Sequence, residues 1–273
     1  MSVSGSVVVR RQLGRRLRTL REASGKTERE VEEAKIISRT KLWRIESGKA
    51  AVKIPDVRTL CWFYGADAEV TDALAGLAVA TSEQSWFEEY SDVVPEWFKL
   101  YVGLEGAAAG ILSYDGELVP GPLQTADYAR AVYVAAQSRD EAAIDRQVAL
   151  RLERQEALFR RTPPPRLSVV LGAGVLARQV GGPEVIAAQI SHLRELNSRD
   201  HVEIRVLSWE AGAHSAMLGA FHVLDFDGDE DPNVVYLESE LGGRYPEHPD
   251  EIERFRKIFT QIQAKATPLE EYQ

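Results

Sequence analysis

Four hydrogen-bonding side chains follow one another closely in the segment SRTKLWRIESG, residues 38–48. Arginine can donate two hydrogen bonds to the O6 and N7 acceptors of guanine, and lysine and threonine can donate to base edges. If the segment is helical, Leu42 and Ile45 share one face three residues apart, and the polar side chains point outward. The spacing therefore predicts a short helix with an apolar back and a cationic front that fits a DNA major groove. The predicted contacts are Arg39, Thr40, Lys41 and Arg44.

A second short helix is predicted directly before this one. Thr27 can cap a helix N-terminus, and Glu30 three residues later completes a capping box. Ser38 can cap the following helix, and Gly48 can end it in a left-handed conformation. Two capped helices joined by a tight turn predict a helix-turn-helix. Residues flanking it are predicted to add DNA contacts, the lysines with phosphate: Lys26, Thr27, Lys49 and Lys53.

Residues 13–64 resemble the repressor-like helix-turn-helix regulators of the XRE class. LGRRLRTLREASG is similar to the first helix of that class, SRTKLWRIESG to its recognition helix and PDVRTLCWFYGAD to its fourth helix. The resemblance implies sequence-specific binding to operator DNA. We expect residues 10–81 to form an all-α DNA-binding domain of about five helices.

Three residues depart from the pattern of that class. Glu28 stands where glutamine is usual, and phosphate would repel its carboxylate. Glu32 replaces the small residue that is usual where the two helices cross. Ile36 occupies a turn position often held by glycine, and a β-branched residue is poorly suited to a positive φ. These departures favour either a differently built turn or a wider crossing.

Other segments resemble an uncharacterised domain that a large bacterial group of antitoxin-like transcription regulators carries. They are WFEEY near residue 86, PGPLQTADYARA from Pro120, GGPEVIAAQISHLREL from Gly181 and GAHSAMLGAFHVLDF from Gly212. Such relatives tend to be encoded beside a short protein, so the resemblance implies a protein partner. In these relatives an acidic residue often stands where this chain has Ala173.

Residues 82–273 are predicted to form an α+β domain, with a small, mostly antiparallel sheet covered by helices. Alternating or continuous apolar runs predict the strands, and apolar residues at helical spacing predict the helices. The strand candidates are 110–114, 167–171, 202–206, 221–226 and 234–238. The helix candidates are 126–136, 140–161, 185–197 and 249–265. Arg154 is expected on the outer face of the helix at 140–161.

Charge is distributed unevenly along the chain. The whole chain has a net charge of −9, but residues 1–60 hold 15 basic and 7 acidic residues and are net +8. The remaining residues, 61–273, are therefore net −17. A cationic segment before an acidic one is expected when the first binds phosphate and the second does not.

Motifs for catalysis or metal binding are weak. The turn DFDGDED from Asp225 has acids at alternate positions, but Glu230 stands where a calcium loop needs glycine. His214 and His222 are eight residues apart and lack a carboxylate at ligand spacing. No GxSxG, HExxH or phosphate-binding glycine loop occurs. We therefore expect no enzyme, no cofactor and no metal.

The single cysteine, Cys61, excludes an internal disulfide. No apolar run approaches the ~20 residues of a membrane span, and no secretory signal is present. The sequence predicts a cytoplasmic protein.

The leading hypothesis is a sequence-specific, homodimeric transcription regulator whose C-terminal domain binds a protein partner or an effector. The alternative is an antitoxin-like module that neutralises a small basic protein, with DNA binding serving autoregulation. A small-molecule pocket in the C-terminal domain is a competing possibility. Two aromatic pairs are candidate partner contacts, although helix packing is the commoner role of such pairs. They are Trp86, Phe87, Trp97 and Phe98.

Overall fold

A computed structural model describes most of the chain: residues 5–80, 90, 93–136, 140–226 and 233–272. The chain divides into two compact units, Met1–Glu88 and Glu89–Gln273. Each unit is built around its own set of buried apolar side chains.

The described part of the first unit contains five helices, as expected. They are α1 (Gly5–Ala23), α2 (Glu28–Glu33), α3 (Arg39–Glu46), α4 (Ile54–Tyr64) and α5 (Ala68–Ala80). All five contribute buried apolar side chains to one core, and α1 packs against α3, α4 and α5. Cys61 lies in this core. Burial raises the pKa of its thiol, as expected for a structural cysteine.

The second unit combines helices with one sheet. Its helices are α6 (Glu96–Ala107), α7 (Ala126–Ala135), α8 (Glu141–Phe159), α9 (Ala173–Ala177), α10 (Pro183–Asn197) and α11 (Pro249–Gln263). Its strands are β1 (Gly110–Asp115), β2 (Arg166–Gly172), β3 (Val202–Leu207), β4 (Phe221–Asp225), β5 (Val234–Ser239), β6 (Gly242–Arg244) and β7 (Thr267–Pro268).

The predicted small, mostly antiparallel sheet is wrong. The described residues form a seven-stranded mixed sheet in the order β6-β5-β4-β1-β2-β3-β7. The neighbours β1, β2 and β3 are parallel to one another, and the other pairings are antiparallel. The chain passes through α7 and α8 between β1 and β2, and through α9 and α10 between β2 and β3. Helical crossovers of this kind return the chain to the same end of a sheet, which makes the strands parallel.

Helices cover both faces of the sheet. On one face α11 contributes Ile252, Phe259 and Ile262 to a core shared with the sheet. On the other face α6 packs through Tyr101, whose ring stacks on Tyr236 of β5 with centroids 4.0 Å apart. The second unit is therefore a three-layer arrangement, with its sheet buried between helices.

Candidate nucleic-acid interface

Side-chain caps define the start of both helices of the motif. The Thr27 main-chain N–H donates to Glu30 Oε2 at 2.8 Å, and the Glu30 N–H donates to Thr27 Oγ1 at 3.2 Å. The Ser38 hydroxyl accepts from the Lys41 N–H at 3.3 Å at the start of α3. Gly48 follows the end of α3 with φ +70°. The capping box, the second cap and the left-handed glycine are all confirmed.

The turn between α2 and α3 differs from the expectation at Ile36. The left-handed residue is Lys35, with φ 58°, and Ile36 packs against the core instead. The Glu32 carboxylate accepts a hydrogen bond from the Arg39 main-chain N–H at 3.1 Å. A carboxylate at this position also interacts favourably with the N-terminal end of a helix dipole. Glu32 thus ties α2 to the start of α3.

The apolar back of α3 is confirmed, because Leu42 and Ile45 are buried at 0% and 1% exposure. Helix α1 lies directly against the end of α3. A Cβ added at Gly14 would lie only 2.2 Å from the main-chain oxygen of Ile45, so only glycine permits this approach. These contacts fix α3 with one side buried and the other outward.

A buried ion pair, which the local sequence pattern did not reveal, also holds α3. The Arg21 guanidinium donates two hydrogen bonds to the Glu46 carboxylate, with Nε–Oε1 at 2.7 Å and Nη2–Oε2 at 2.8 Å. Both side chains are at most 10% exposed. The pair joins the end of α1 to the end of α3. The two parallel hydrogen bonds between guanidinium and carboxylate compensate both charges in the core.

The predicted contact residues Arg39, Thr40, Lys41 and Arg44 are all exposed on the outward side of α3. Trp43 lies among them and is 50% exposed. Lys41 has an intramolecular partner, because its ammonium lies 2.6 Å from Asp56 Oδ2 of α4. The structure therefore brings the four predicted side chains to one surface, with Lys41 already paired.

The flanking residues lie around this surface in different settings. The ammonium of Lys26 stands 5.1 Å from the Phe63 ring, and that of Lys49 stands 4.4 Å from the Trp43 ring. Partial burial lowers the pKa of Lys49. Lys53 is the exposed residue before α4. Thr27 is occupied by its capping interaction with Glu30.

Of the two aromatic pairs proposed as partner contacts, only the second lies within the described residues. Trp86 and Phe87 lie outside the described residues. Trp97 and Phe98 are half-buried within the second unit. A Cβ at Gly242 would be 3.6 Å from the Trp97 indole, and the Arg154 guanidinium stands 5.0 Å from the Phe98 ring. The described contacts of both rings are intramolecular packing.

A buried polar cluster in the second unit was missed by sequence reasoning. Glu105 of α6 accepts two hydrogen bonds from Arg154 of α8, at 2.9 and 2.8 Å. The expectation that Arg154 lies on the outer face is wrong, since the whole residue is 5% exposed. Next to this pair, the Tyr101 hydroxyl lies 2.6 Å from His222 Nδ1. No local pattern reveals these partners, which are far apart in the chain.

The two histidines considered as metal ligands occupy separate environments. His222 Nε2 is 3.5 Å from Asp115 Oδ1, whereas the His214 ring packs edge-on against Tyr114. Burial opposes protonation of His222, but nearby carboxylates, chiefly Asp115, raise its pKa. Burial lowers the pKa of His214. Within the described ranges no group of three potential metal ligands occurs.

Two further features of the sequence are the acidic turn from Asp225 and the alanine at position 173. Most of the acidic turn, residues 227–232, falls outside the described residues. Ala173 begins α9, immediately after β2. None of the helices in the described ranges is long and apolar enough to span a membrane.

Comparison with known proteins gives two family matches. Residues 12–74 match a helix-turn-helix domain, which supports DNA binding by this segment. Residues 98–271, more than half of the chain, match a domain of unknown function, DUF5753. No curated protein and no solved structure gives a match.

Proposed function

The chain belongs to the DUF5753 family, and we propose that it is a sequence-specific transcription regulator of the XRE class. In this proposal residues 10–81 bind DNA, and residues 82–273 bind a protein partner or an effector. The observation that carries this proposal is the outward side of α3. There Arg39, Thr40 and Arg44 are exposed on a helix whose back is fully buried. A rigid helix with exposed guanidinium groups can enter the major groove and donate to guanine O6 and N7.

Charge and pairing assign roles within this surface. Arg39 and Arg44 would contact base edges, and the hydroxyl of Thr40, on a shorter side chain, would add a single hydrogen bond. Lys26, Lys49 and Lys53 would neutralise phosphates and so contribute affinity without sequence preference. Lys41 must exchange its partner Asp56 for DNA, so we expect it to contribute less than an unpaired lysine.

The test is selection of duplexes from a randomised DNA library by the full chain, followed by measurement of binding by variants. The double variant Arg39→Ala/Arg44→Ala should bind the selected duplex at least roughly tenfold more weakly, because each bidentate arginine contributes about 1–3 kcal/mol of discrimination. Lys49→Ala should reduce the slope of log affinity against log salt by about one. Arg29→Ala is the control, because Arg29 is exposed on α2 and pairs with Glu33. Unchanged affinity in the double variant would contradict the proposed interface.

A second candidate function starts from the charge of the second unit, residues 89–273, which holds 18 basic and 30 acidic residues and is net −12. An acidic domain repels phosphate but attracts a cationic protein and speeds their association at low salt. In this antitoxin-like alternative the second unit neutralises a small basic partner, and DNA binding serves autoregulation. In both versions the protein acts by binding and not as an enzyme.

The two candidates differ in what the protein needs for DNA binding. The regulator binds its selected duplex tightly alone, whereas the antitoxin-like module requires the partner for tight binding. Full-length protein used as bait in lysate of its native host should enrich a short basic protein, and raised salt should weaken the capture. Capture of no protein, together with a bound metabolite in native mass spectrometry, would favour a ligand sensor.

A further inference from the structure

The outward side of α3 has a centre and two edges. With 100° between successive residues of a helix, Thr40 stands opposite the buried side chains of Leu42 and Ile45, flanked by Trp43 and Arg44. Arg39 and Lys41 then stand at the two edges of this surface. Lys41 and Trp43 are both exposed, but their surroundings within the unit differ.

At one edge, Asp56 of α4 compensates the charge of Lys41 through a 2.6 Å contact. Nearer the centre, Trp43 presents an apolar indole that is 50% exposed. Lys49, just beyond the end of α3, places its ammonium 4.4 Å from the centre of this ring. A cation–π contact of this geometry holds the indole and the ammonium side by side. This part of the outward side therefore carries an apolar surface with a positive charge immediately next to it.

We propose that Trp43 is a further specificity-determining residue, which packs its indole against the C5-methyl group of a thymine while Lys49 contacts the adjacent phosphate. The thymine methyl is the apolar feature that base edges present in the major groove. Phosphates line both sides of that groove, so the ammonium next to the indole meets a negative charge. The proposal rests on the proposed function, because it places Trp43 in the same DNA interface as Arg39 and Arg44.

The same unit contains a matched control. Trp62 is 76% exposed but lies on α4, outside the recognition helix. If any exposed indole favoured thymine through non-specific contact, Trp62 would do so as well as Trp43. Trp62→Ala removes little buried surface, whereas Trp43→Ala removes the buried half of an indole. Far-UV circular dichroism verifies that both variants fold.

The experiment uses the full chain and a duplex selected from a randomised library. Each thymine in the duplex is replaced in turn by deoxyuridine, which lacks only the methyl group. At one thymine position, replacement by deoxyuridine should weaken binding of the wild-type protein roughly fourfold, the loss expected for one buried methyl group. If the protein binds as a homodimer, the equivalent thymine in the other half-site should show the same loss. Trp43→Ala should bind the thymine and deoxyuridine duplexes equally well. Trp62→Ala and Arg39→Ala should both retain the wild-type ratio.

The outcomes separate this inference from the proposed function. If no duplex is selected, both fail. A selected duplex whose affinity is unaffected by every deoxyuridine replacement overturns the inference and leaves the proposed function standing. A selected site without thymine, or a methyl effect that persists in Trp43→Ala, overturns it in the same way.

Discussion

Glu105 and Arg154 place two full charges in the interior of the second unit. Their side chains are 2% and 4% exposed, and the guanidinium also lies over the rings of Phe98 and Tyr101. Desolvation of both charges is costly, and the two parallel hydrogen bonds recover much of that cost. Burial alone would lower the pKa of Arg154, but Glu105 raises it above its ordinary value. The arginine therefore remains charged and depends on its partner.

Loss of one partner should destabilise the protein strongly. We expect Arg154→Met to lower the free energy of unfolding by about 3–5 kcal/mol, because it leaves the Glu105 carboxylate buried and unpaired. Urea unfolding followed by circular dichroism measures this change. Arg160→Met is the control at the C-terminal end of the same helix. Arg160 pairs with Glu156 at the surface, so its loss should cost less than about 1 kcal/mol. Equal effects of the two substitutions would contradict a special role for the buried pair.

His222 should make stability depend on pH. Its pKa in the folded protein is raised above the ordinary value of about 6.5. Its protonated ring therefore stabilises the fold fully below about pH 6.5, and this stabilisation is lost as the pH rises through the folded pKa. The difference in unfolding free energy between wild type and His222→Gln should thus shrink as the pH rises above about 6.5. A difference that stays constant as the pH rises above about 6.5 would show that His222 does not titrate as expected.

At the scale of elements, local signals predicted the helix-turn-helix well. Thr27, Glu30 and Ser38 act on main-chain groups within three residues of themselves, so their capping roles are visible in the sequence. Strand pairing is set by contacts between distant segments, and the direction of β1, β2 and β3 was predicted incorrectly for that reason. The predicted helices at 126–136 and 140–161 nevertheless favoured parallel pairing of β1 with β2, because long helical connections usually join parallel strands.

The turn between α2 and α3 shows the same limit. The pattern of the XRE class places a positive φ at Ile36. In this chain Lys35 has the positive φ, and the Glu32 carboxylate caps α3. An acid in α2 cannot be recognised as the cap of the next helix from spacing alone. The contact residues of α3 could be predicted because they alternate with a simple apolar pattern, whereas the ion pair between Arg21 and Glu46 joins residues 25 positions apart.

The crossing of α1 and α3 should be sensitive to a single methyl group. A Cβ at Gly14 would lie 2.2 Å from the main-chain oxygen of Ile45, so Gly14→Ala must push the helices apart. We expect it to lower the free energy of unfolding by roughly 1–3 kcal/mol, the usual cost of overpacking, and to weaken DNA binding. Gly76→Ala in α5 is the control, because a Cβ there meets nothing within 4 Å. It should stabilise the protein by about 0.5–1 kcal/mol, and effects of the same sign would contradict the steric argument.

For the whole molecule, the asymmetry of charge assigns separate tasks to the two units. The first unit, residues 1–88, holds 15 basic and 12 acidic residues and is net +3, whereas the second unit, residues 89–273, holds 18 and 30 and is net −12. An acidic second unit repels DNA, so the attraction must come from the helix-turn-helix surface and should fall steeply with salt. A single recognition helix of eight residues also reads only a few base pairs.

We therefore expect the full chain to occupy its selected duplex as a homodimer. A two-fold dimer places two recognition helices about one helical turn of DNA apart, so the selected sequence should be an inverted repeat with that spacing. Light scattering on the purified complex should give two chains per duplex. A duplex that keeps only one half of the repeat is the control and should bind far more weakly. One chain per intact duplex, or equal affinity for the half-repeat, would show that the protein reads DNA as a monomer.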